Sequence, residues 1–314
     1  MLLRNIINNS PKSVEWNTPK KINNDGGNGI SDIIKADGIG FVAVGWNHSF
    51  TSQDGSSWTS PRSGATWNQD RVNSIVAYGI AYGNGIFVTV GGNGNASAAT
   101  SSNGVTWSSR IAVNSSGSEI LGIKFAENLF IAYGGRGIIN LSSNGSNWTN
   151  IQVLDFHSNL ALTSLSYASE KPVKFICCGQ GGYIAKSSDG ITWTTAKIGS
   201  YNWGCSAYNG TEFVVFSVDG YMTKSSDGTN WSNPRKVVCS GITDVCYTDK
   251  YYFSGINGAI VALETDFSAY SIQKVGVSTA WRKIKFIDNK FYMVGEQPYV
   301  SGLDIDGGYI VSSK

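Results

Sequence analysis

The sequence predicts an all-β protein, because three short patterns recur along its 314 residues. The first is a seven-residue box, Ser-x-Asp/Asn-Gly-x-x-Trp. The second is an aromatic-led apolar run that usually ends in glycine, and the third is a tight-turn sequence, such as YGNG at 82–85, that precedes this run. Short apolar runs separated by turns rich in Gly, Asn and Asp are typical of β-strands joined by hairpins.

The boxes give the sequence a regular period. Successive box tryptophans lie 38 to 49 residues apart. The copies are SQDGSSW (52–58), SSNGVTW (101–107), SSNGSNW (142–148), SSDGITW (187–193), SSDGTNW (225–231) and the degenerate ETDFSAY (264–270). In the last copy Tyr270 occupies the tryptophan position, so we expect its ring to pack where the tryptophan ring packs in the other copies.

The aromatic-led runs set the number of units. There are seven of them: FVAVG (41–45), FVTVG (87–91), FIAYG (130–134), FICCG (175–179), FVVFS (213–217), YYFSG (251–255) and FYMVG (291–295). Each unit therefore consists of strand, tight turn, strand, loop, strand, box turn and strand. Four antiparallel strands at this period are typical of a β-propeller blade, so the sequence predicts a propeller of seven blades.

The two ends of the sequence complement each other. The last copy stops at YIVSSK (309–314), halfway through its box, whereas SPKSVEWNTP (10–19) supplies a box serine at Ser10 and a tryptophan at Trp16. An N-terminal strand that completes the C-terminal blade closes the ring and removes two open sheet edges. We therefore predict one propeller domain over residues 10–314, preceded by a leader of residues 1–9.

Within each box, the residue types suit a structural role. Glycine adopts the positive φ that the turn needs, and the Asp or Asn side chain caps its own turn. The tryptophan that follows begins the outer strand, where its ring is expected to pack against the neighbouring blade. We therefore interpret the boxes as scaffold and their acidic residues as non-catalytic.

Composition excludes several classes of partner. Lys and Arg number 24 against 22 Asp and Glu, and the sequence has no basic run, which argues against nucleic acid. It has no apolar stretch long enough for a membrane span or a signal peptide. The five cysteines are odd in number and match neither a disulfide framework nor a zinc pattern, so we expect free, buried thiols. No cofactor or metal site is predicted.

The boxes resemble those of Asp-box β-propellers, a group that spans sialidases, sortilin-type receptors, photosystem assembly factors and repeat proteins of bacteriophage tails and virions. The usual Asp box has one more residue between Asp and Gly, so SSDGITW is a shortened version. The order of run, turn and box is most similar to phage-encoded propellers. The resemblance implies a virion protein, made in the host cytoplasm, that acts in host-surface recognition or in assembly.

This resemblance implies partners as well: a host surface glycan or receptor protein, and other virion proteins. Two alternatives remain open. One is a carbohydrate-binding lectin or an interaction scaffold outside a phage, and the other is a glycoside hydrolase acting on surface polysaccharide.

We predict that the chain is not an enzyme. A sialidase-like site needs three converging arginines, and only Arg282 lies near the start of a predicted inner strand. The two histidines, His48 and His157, belong to no Ser-His-Asp or metal-ligand pattern. A pair of facing carboxylates, such as Asp219 with Glu296, stays open as the glycosidase alternative.

One face of the propeller is the predicted binding surface. Loops between the second and third strands of each blade share this face with the loops that join blades, and we call it the inter-blade face. Aromatic rings beside polar side chains suit sugars or a protein surface. The predicted binding residues comprise the four tryptophans outside the boxes and four polar neighbours: Trp46, Trp67, Trp203, Trp281, His48, Arg136, Tyr201 and Glu296. The alternative for each tryptophan is packing beneath the loops.

Overall fold

The seven predicted blades are present. The structure, a computed structural model, describes residues 14–22, 29–46, 48–59, 75–92, 94–115, 117–155, 159–275, 279–297 and 307–314. In this part of the chain, seven antiparallel sheets follow one another around a ring, and each aromatic-led run forms the second strand of its sheet. The predicted all-β fold class is therefore confirmed.

The strands follow the order predicted from the repeat. After β1 (Lys20–Lys21), which belongs to the last blade, the first three blades are built from β2 (Ile30–Ala36), β3 (Gly40–Gly45) and β4 (His48–Ser52); β5 (Ala77–Gly83), β6 (Ile86–Gly92), β7 (Ala96–Ser101) and β8 (Ile111–Ala112); and β9 (Ile120–Ala126), β10 (Leu129–Gly134), β11 (Ile138–Ser142) and β12 (Thr149–Gln152). In blade 1 a bridge between Thr51 and Thr59 marks the place of the outer strand.

Blades 4 to 7 repeat the same four-strand order. They comprise β13 (Leu162–Tyr167), β14 (Phe175–Gly179), β15 (Tyr183–Ser187) and β16 (Thr194–Lys197); β17 (Trp203–Tyr208), β18 (Phe213–Ser217), β19 (Tyr221–Ser225) and β20 (Arg235–Lys236); β21 (Ile242–Tyr247), β22 (Tyr251–Gly255), β23 (Ala259–Leu263) and β24 (Tyr270–Lys274); and β25 (Ala280–Ile287), β26 (Lys290–Gln297) and β27 (Gly307–Ser312) with β1.

The ends of the ring meet in blade 7. β1 pairs antiparallel with β27, with Lys20 opposite Ile310. Trp16 bridges Ser313, and its ring centroid lies 6.2 Å from that of Phe291. The predicted closure is therefore confirmed, and Trp16 takes the box position that the sequence assigned to it. The predicted leader, residues 1–9, lies outside the described residues.

Apolar packing between adjacent blades forms the core. Each of seven buried clusters combines side chains from two neighbouring blades. The box tryptophans pack toward the preceding blade, as predicted. Trp107 of blade 2 is the most deeply buried of them at 4% exposed, and its Nε1 donates a hydrogen bond to Ser49 Oγ of blade 1 at 3.1 Å. The rings therefore join blades to each other.

The box turns hold their acidic or amide side chain in a fixed network. In the box of blade 4, Asp189 Oδ1 accepts hydrogen bonds from the backbone N–H groups of Ile191 (2.8 Å) and Thr192 (2.7 Å) and from Ser187 Oγ (2.9 Å). The backbone N–H groups lower the pKa of Asp189 to about 2. Asn103 and Asn144 accept the same bonds in their own boxes. These contacts fit the predicted scaffold role.

In the sixth box, the sequence-based assignment was wrong. Tyr270 is 45% exposed, whereas Phe267, three residues earlier, is 7% exposed and lies in the core between blades 5 and 6. Phe267 stands at the glycine position and adopts its positive φ of 61°. This conformation points the side chain inward, and the ring stacks on Tyr251 at 5.4 Å. A different residue of the box therefore fills the volume that tryptophan fills elsewhere.

Replacement of the box glycine tests the packing between blades. Gly104 has φ +72°, and a Cβ there would overlap Val42 Cγ2 of blade 1. Gly38, in a hairpin turn, has φ +75° with nothing within 4 Å of its Cβ position. We expect Gly38→Ala to cost about 1 kcal/mol of unfolding free energy through its backbone alone, and Gly104→Ala about 1–3 kcal/mol more. Urea unfolding followed by tryptophan fluorescence measures both, and equal losses would show that contact with the preceding blade is unimportant.

The box aspartates make stability depend on pH in the acid range. Hydrogen bonds from backbone N–H groups lower the pKa of Asp54, Asp189 and Asp227 below the usual 3.8. Their stabilisation is present above pH 4 and is lost as pH falls toward 2. The triple variant Asp54→Asn, Asp189→Asn, Asp227→Asn keeps the acceptor oxygens, so its thermal midpoint should fall less steeply between pH 4 and 2 than that of the wild type.

Asn103→Asp is the reciprocal control for this titration. It places a carboxylate in a box that lacks one, and should add pH dependence over the same range. If the triple variant and the wild type show the same slope, the box carboxylates do not control acid stability.

Candidate functional site

Two predicted binding residues lie in the core. Trp203 and Trp281 are both fully buried at 0% exposed, and Trp281 Nε1 donates a hydrogen bond to the Val275 carbonyl at 3.0 Å. Both side chains point into the core shared with the preceding blade, where the other inner strands place Ile, Leu or Ala. The prediction that these rings line a binding surface is therefore corrected, because neither contacts solvent.

Other predicted residues lie around the rim of the inter-blade face. Trp46 directly follows β3 and is 40% exposed, and His48 begins β4 with its ring 6.1 Å from that of Phe50. Arg136 lies in the short 3-10 turn after β10, with φ 56°. These residues belong to blades 1 and 3, so they do not form one cluster.

The last predicted residues lie in blades 5 and 7. Tyr201 precedes β17 and packs against Tyr221, with ring centroids 4.7 Å apart. Glu296 lies in β26, where it pairs with Arg282. Trp67 lies outside the described residues. The predicted binding set is thus distributed around the ring.

Every inner strand contains a β-bulge at the same place. In each blade, one residue of the inner strand pairs with the end of the second strand, and the next residue of the inner strand forms the bulge. A bulge redirects a side chain and bends the strand. The bulge residues are Ser31, Tyr78, Leu121, Thr163, Gly204, Thr243 and Arg282. They form a ring at the inter-blade end of the inner strands, which is the mouth of the central channel.

Charged groups occupy one side of this mouth. Arg282 Nη2 donates to Glu296 Oε1 at 2.6 Å. Burial raises the pKa of Tyr78, and the nearby carboxylate of Glu119 raises it further. Tyr78 in blade 2 also interacts electrostatically with Arg282 in blade 7, across blade 1. The mouth is therefore narrow enough for side chains of non-adjacent blades to interact.

Below the mouth, two ion pairs line the channel. Lys285 Nζ lies 3.1 Å from Asp32 Oδ1, and Lys283 Nζ lies 3.5 Å from Asp244 Oδ1. Both aspartates also connect adjacent blades. The second oxygen of Asp32 accepts the backbone N–H of Ile80 at 3.2 Å, and Asp244 accepts that of Ile284 at 3.2 Å.

A third lysine lacks such a pair. The side chain of Lys124, on β9, makes no hydrogen bond or ion pair with any residue that the structure describes, although its backbone pairs with Ile131. The pKa of Lys124 is lowered to about 8, mainly by burial and in smaller part by the positive charges of Lys285 and Lys283, whereas Asp244 and Asp32 oppose this shift. The charge of Lys124 therefore has no direct counter-charge among the described residues.

The sequence contained a signal for this cluster that our predictions missed. Asp32, Lys124, Asp244, Lys283 and Lys285 interrupt otherwise apolar inner strands, as in ISDII, ILGIK, ITDVC and WRKIK. Counted from the residue before the bulge, they stand at the third or fifth position of their strands. Comparison of the seven inner strands position by position would have identified them.

The described residues show neither a metal centre nor a membrane helix. They contain no group of three or more His, Cys, Asp or Glu side chains placed to hold a metal ion. Among them no helix is long and apolar enough to cross a membrane. All five cysteines are free, and burial raises the pKa of Cys178 to about 12 and that of Cys246 to about 11.

Comparison with known proteins supports the fold. No protein-family model matches the sequence, and no curated protein matches it either. Among solved structures, the chain is similar to YCF48 bound to D1 peptide, with a TM-score of 0.70, 14% identity and 96% of each chain covered. It is also similar to YCF48 from Cyanidioschyzon merolae (TM-score 0.67, 14% identity, 94% of this chain and 98% of that one).

A third similar structure is the WD40 β-propeller domain of Doa1, with a TM-score of 0.67, 10% identity, and coverage of 96% of this chain and 98% of that one. Identities this low show a shared fold and no more. The chain is a seven-bladed β-propeller. Its function has to be inferred from its own residues.

Removal of the unpaired lysine should stabilise the protein. The folded state holds the Lys124 pKa near 8 against the usual 10.5, so the charged amine is unfavourable at neutral pH. This penalty is present below pH 8 and disappears as pH rises toward 10.5. We expect Lys124→Met to raise the free energy of unfolding by about 1–3 kcal/mol at pH 7, and by much less at pH 10.

Lys274→Met is the matched control, because Lys274 is exposed on an outer strand. It should leave stability nearly unchanged at both pH values. Destabilisation by Lys124→Met at pH 7 would contradict the assignment of an uncompensated charge.

Proposed function

We propose that the chain is a non-enzymatic interaction scaffold that binds a protein partner through the inter-blade face. The observation that carries the proposal is the construction of this face. Each inner strand has a bulge at the mouth of a charged channel, and every bulge residue except Gly204 carries a side chain there. Apolar groups at the rim stay exposed. Trp46 is 40% exposed and Val218 is 41% exposed, in blades 1 and 5. Apolar groups around polar anchors suit a protein surface.

The channel carboxylates support a binding role over catalysis. Acid-base chemistry on a glycoside needs two carboxyl groups that are free to give and take a proton. Asp32 is paired with Lys285, Asp244 with Lys283, and Glu296 with Arg282. These partners hold the carboxylates in structural contacts, so the proposal favours binding.

A protein partner fits better than a glycan. Sugar binding by stacking needs exposed rings, and two of the four tryptophans predicted for it are buried in the core. A propeller of similar fold, YCF48, has been solved bound to a D1 peptide. By analogy, we propose that this chain also binds an extended segment of a partner.

The setting that we propose is a phage virion, with the protein made in the host cytoplasm and acting in adsorption or assembly. This part of the proposal rests on the resemblance of the boxes to phage-encoded propellers. Genes for tail or capsid proteins beside the gene for this chain would support it. A gene neighbourhood without any virion gene would contradict it.

Selection from a displayed random-peptide library tests the binding face. Peptides enriched on the purified chain should lose affinity about tenfold or more when Trp46 and Val218 are both replaced by Ser, because the variant removes two apolar contacts with the peptide. The matched control is Val105→Ser with Ile191→Ser, because these exposed apolar residues lie in box turns on the opposite face. Fluorescence anisotropy gives the affinities.

Equal losses in both double variants, or a loss only in the box-turn variant, would overturn the assignment of the face. Failure to enrich any peptide, together with saturable binding on a glycan array, would favour the lectin alternative and overturn the protein-partner proposal.

A further inference from the structure

The outer strand of blade 6 differs from the other outer strands. β24 (Tyr270–Lys274) has five residues, of which four are exposed, and its Tyr270 and Ile272 are 45% and 54% exposed. No other outer strand in the described ranges carries an exposed large apolar side chain. β20 and β1 consist only of Lys and Arg, and β16 ends in Lys197. Lysine and short length protect a sheet edge from pairing with another strand, so the centre of β24 is unprotected.

The backbone of β24 presents an open edge. Just before the strand, the Glu264 N–H donates a hydrogen bond to the Ala269 carbonyl at 3.0 Å. Because hydrogen-bonded residues alternate along an antiparallel ladder, the odd-numbered residues of β24 bond to β23. The even-numbered residues direct their N–H and C=O groups outward: Tyr270, Ile272 and Lys274. Within the described part of the chain, no residue is hydrogen-bonded to these outward groups.

Two side chains of this edge extend an apolar face of the blade. Tyr270 pairs with Leu263 and Ile272 pairs with Val261, and paired residues lie on the same face of a sheet. Leu263 and Val261 belong to the core between blades 5 and 6. Phe267 also lies in this core, so the Tyr270 ring is not needed there. The apolar face therefore continues beyond the core to the outer edge of the blade.

We propose that this edge binds a second copy of the chain, with two β24 strands paired antiparallel about a twofold axis at Ile272. In this register each Ile272 lies opposite the same residue of the other copy, and each Tyr270 lies opposite a Lys274. Every outward N–H and C=O group then has a hydrogen-bond partner. The two isoleucines bury apolar surface against each other, and the lysine packs its stem and ammonium group on the tyrosine ring.

The charges along β24 favour this occupant and this orientation. The strand follows a box turn that carries the exposed carboxylate of Asp266, and it ends in the exposed Lys274. Antiparallel pairing of two identical strands brings the basic end of each to the acidic end of the other, whereas parallel pairing would align like charges. The strand is therefore complementary to itself. It lies on the circumference of the ring, away from the inter-blade face, so this proposal and the proposed function can fail separately.

Analytical ultracentrifugation of the purified chain tests the second copy. We expect a reversible equilibrium in which the dimer increases with protein concentration. Ile272→Lys places two ammonium groups opposite each other on the axis, so the Kd of the dimer should rise about tenfold or more. Ile272→Glu should have the same effect through two carboxylates. A mixture of the two variants brings an ammonium group opposite a carboxylate, so it should dimerise where neither variant does alone.

Thr195→Lys is the matched control, because Thr195 is exposed on β16, the outer strand of blade 4. It adds the same charge to another outer edge and should leave the Kd unchanged. A chain that is monomeric at every concentration would overturn the proposal. So would a dimer whose Kd is unaffected by Ile272→Lys, or one that Thr195→Lys weakens equally. Recovery of the dimer in the mixed sample also shows that both Ile272 variants are folded.

Oxidative cross-linking tests the register. Hydrogen-bonded residues of an antiparallel pair have Cα atoms about 5.5 Å apart, within reach of a disulfide. Ile272→Cys should therefore give a disulfide-linked dimer under mild oxidation, in far higher yield than the wild type. Tyr270→Cys would lie about 13 Å from its own copy, so it should cross-link only when mixed with Lys274→Cys. Efficient cross-linking of Tyr270→Cys by itself would contradict the register.

A strand of another protein is the competing occupant of this edge. If the chain stays monomeric, and peptides from a displayed random library bind it but lose affinity for Ile272→Lys, the edge binds a foreign strand. That result would overturn the second-copy proposal. It would leave the proposed function untouched, because that function is tested with Trp46 and Val218 on the inter-blade face.

Discussion

The structure depends on one constraint: each blade must cover the apolar face of the next, all the way around a closed circle. A single four-stranded sheet cannot bury its own faces, so every core cluster draws on two blades. Closure of the ring lets blade 7 and blade 1 cover each other's apolar faces. The pairing of β1 with β27 places the N-terminal segment in the C-terminal blade, which makes separation of the ring ends costly because it would break a sheet.

The same constraint explains why the boxes vary in sequence while their packing does not. The tight turn brings an aromatic ring onto the preceding blade, and a small residue at the turn lets the chains approach closely. Phe267 shows that the required feature is the filled volume, since it reaches the core from the glycine position while Tyr270 stays in solvent. The polar side chains of the boxes satisfy backbone N–H groups of their own turns, which confines their chemistry to the scaffold.

Closure also creates the only part of the described structure where side chains from blades 1, 3, 6 and 7 interact with one another. The inner strands converge there, and each strand has a bulge near the mouth, where every bulge residue except Gly204 carries a side chain. Two lysines have an aspartate, and the third has none. Burial makes the charge on the third lysine, Lys124, unfavourable, and this lowers its pKa.

The sequence by itself determined the class of fold, the number of blades, the place of closure and the structural role of the boxes, because all of these follow from local turn chemistry and a repeat that each blade obeys independently. It also placed Arg282 near the start of an inner strand and Glu296 on the inter-blade face. Only the tertiary structure decided that Trp203 and Trp281 are buried and that Lys124 is unpaired. The burial of a side chain and the charges it meets across the axis depend on residues of other blades, and a pattern within one repeat carries no information about them.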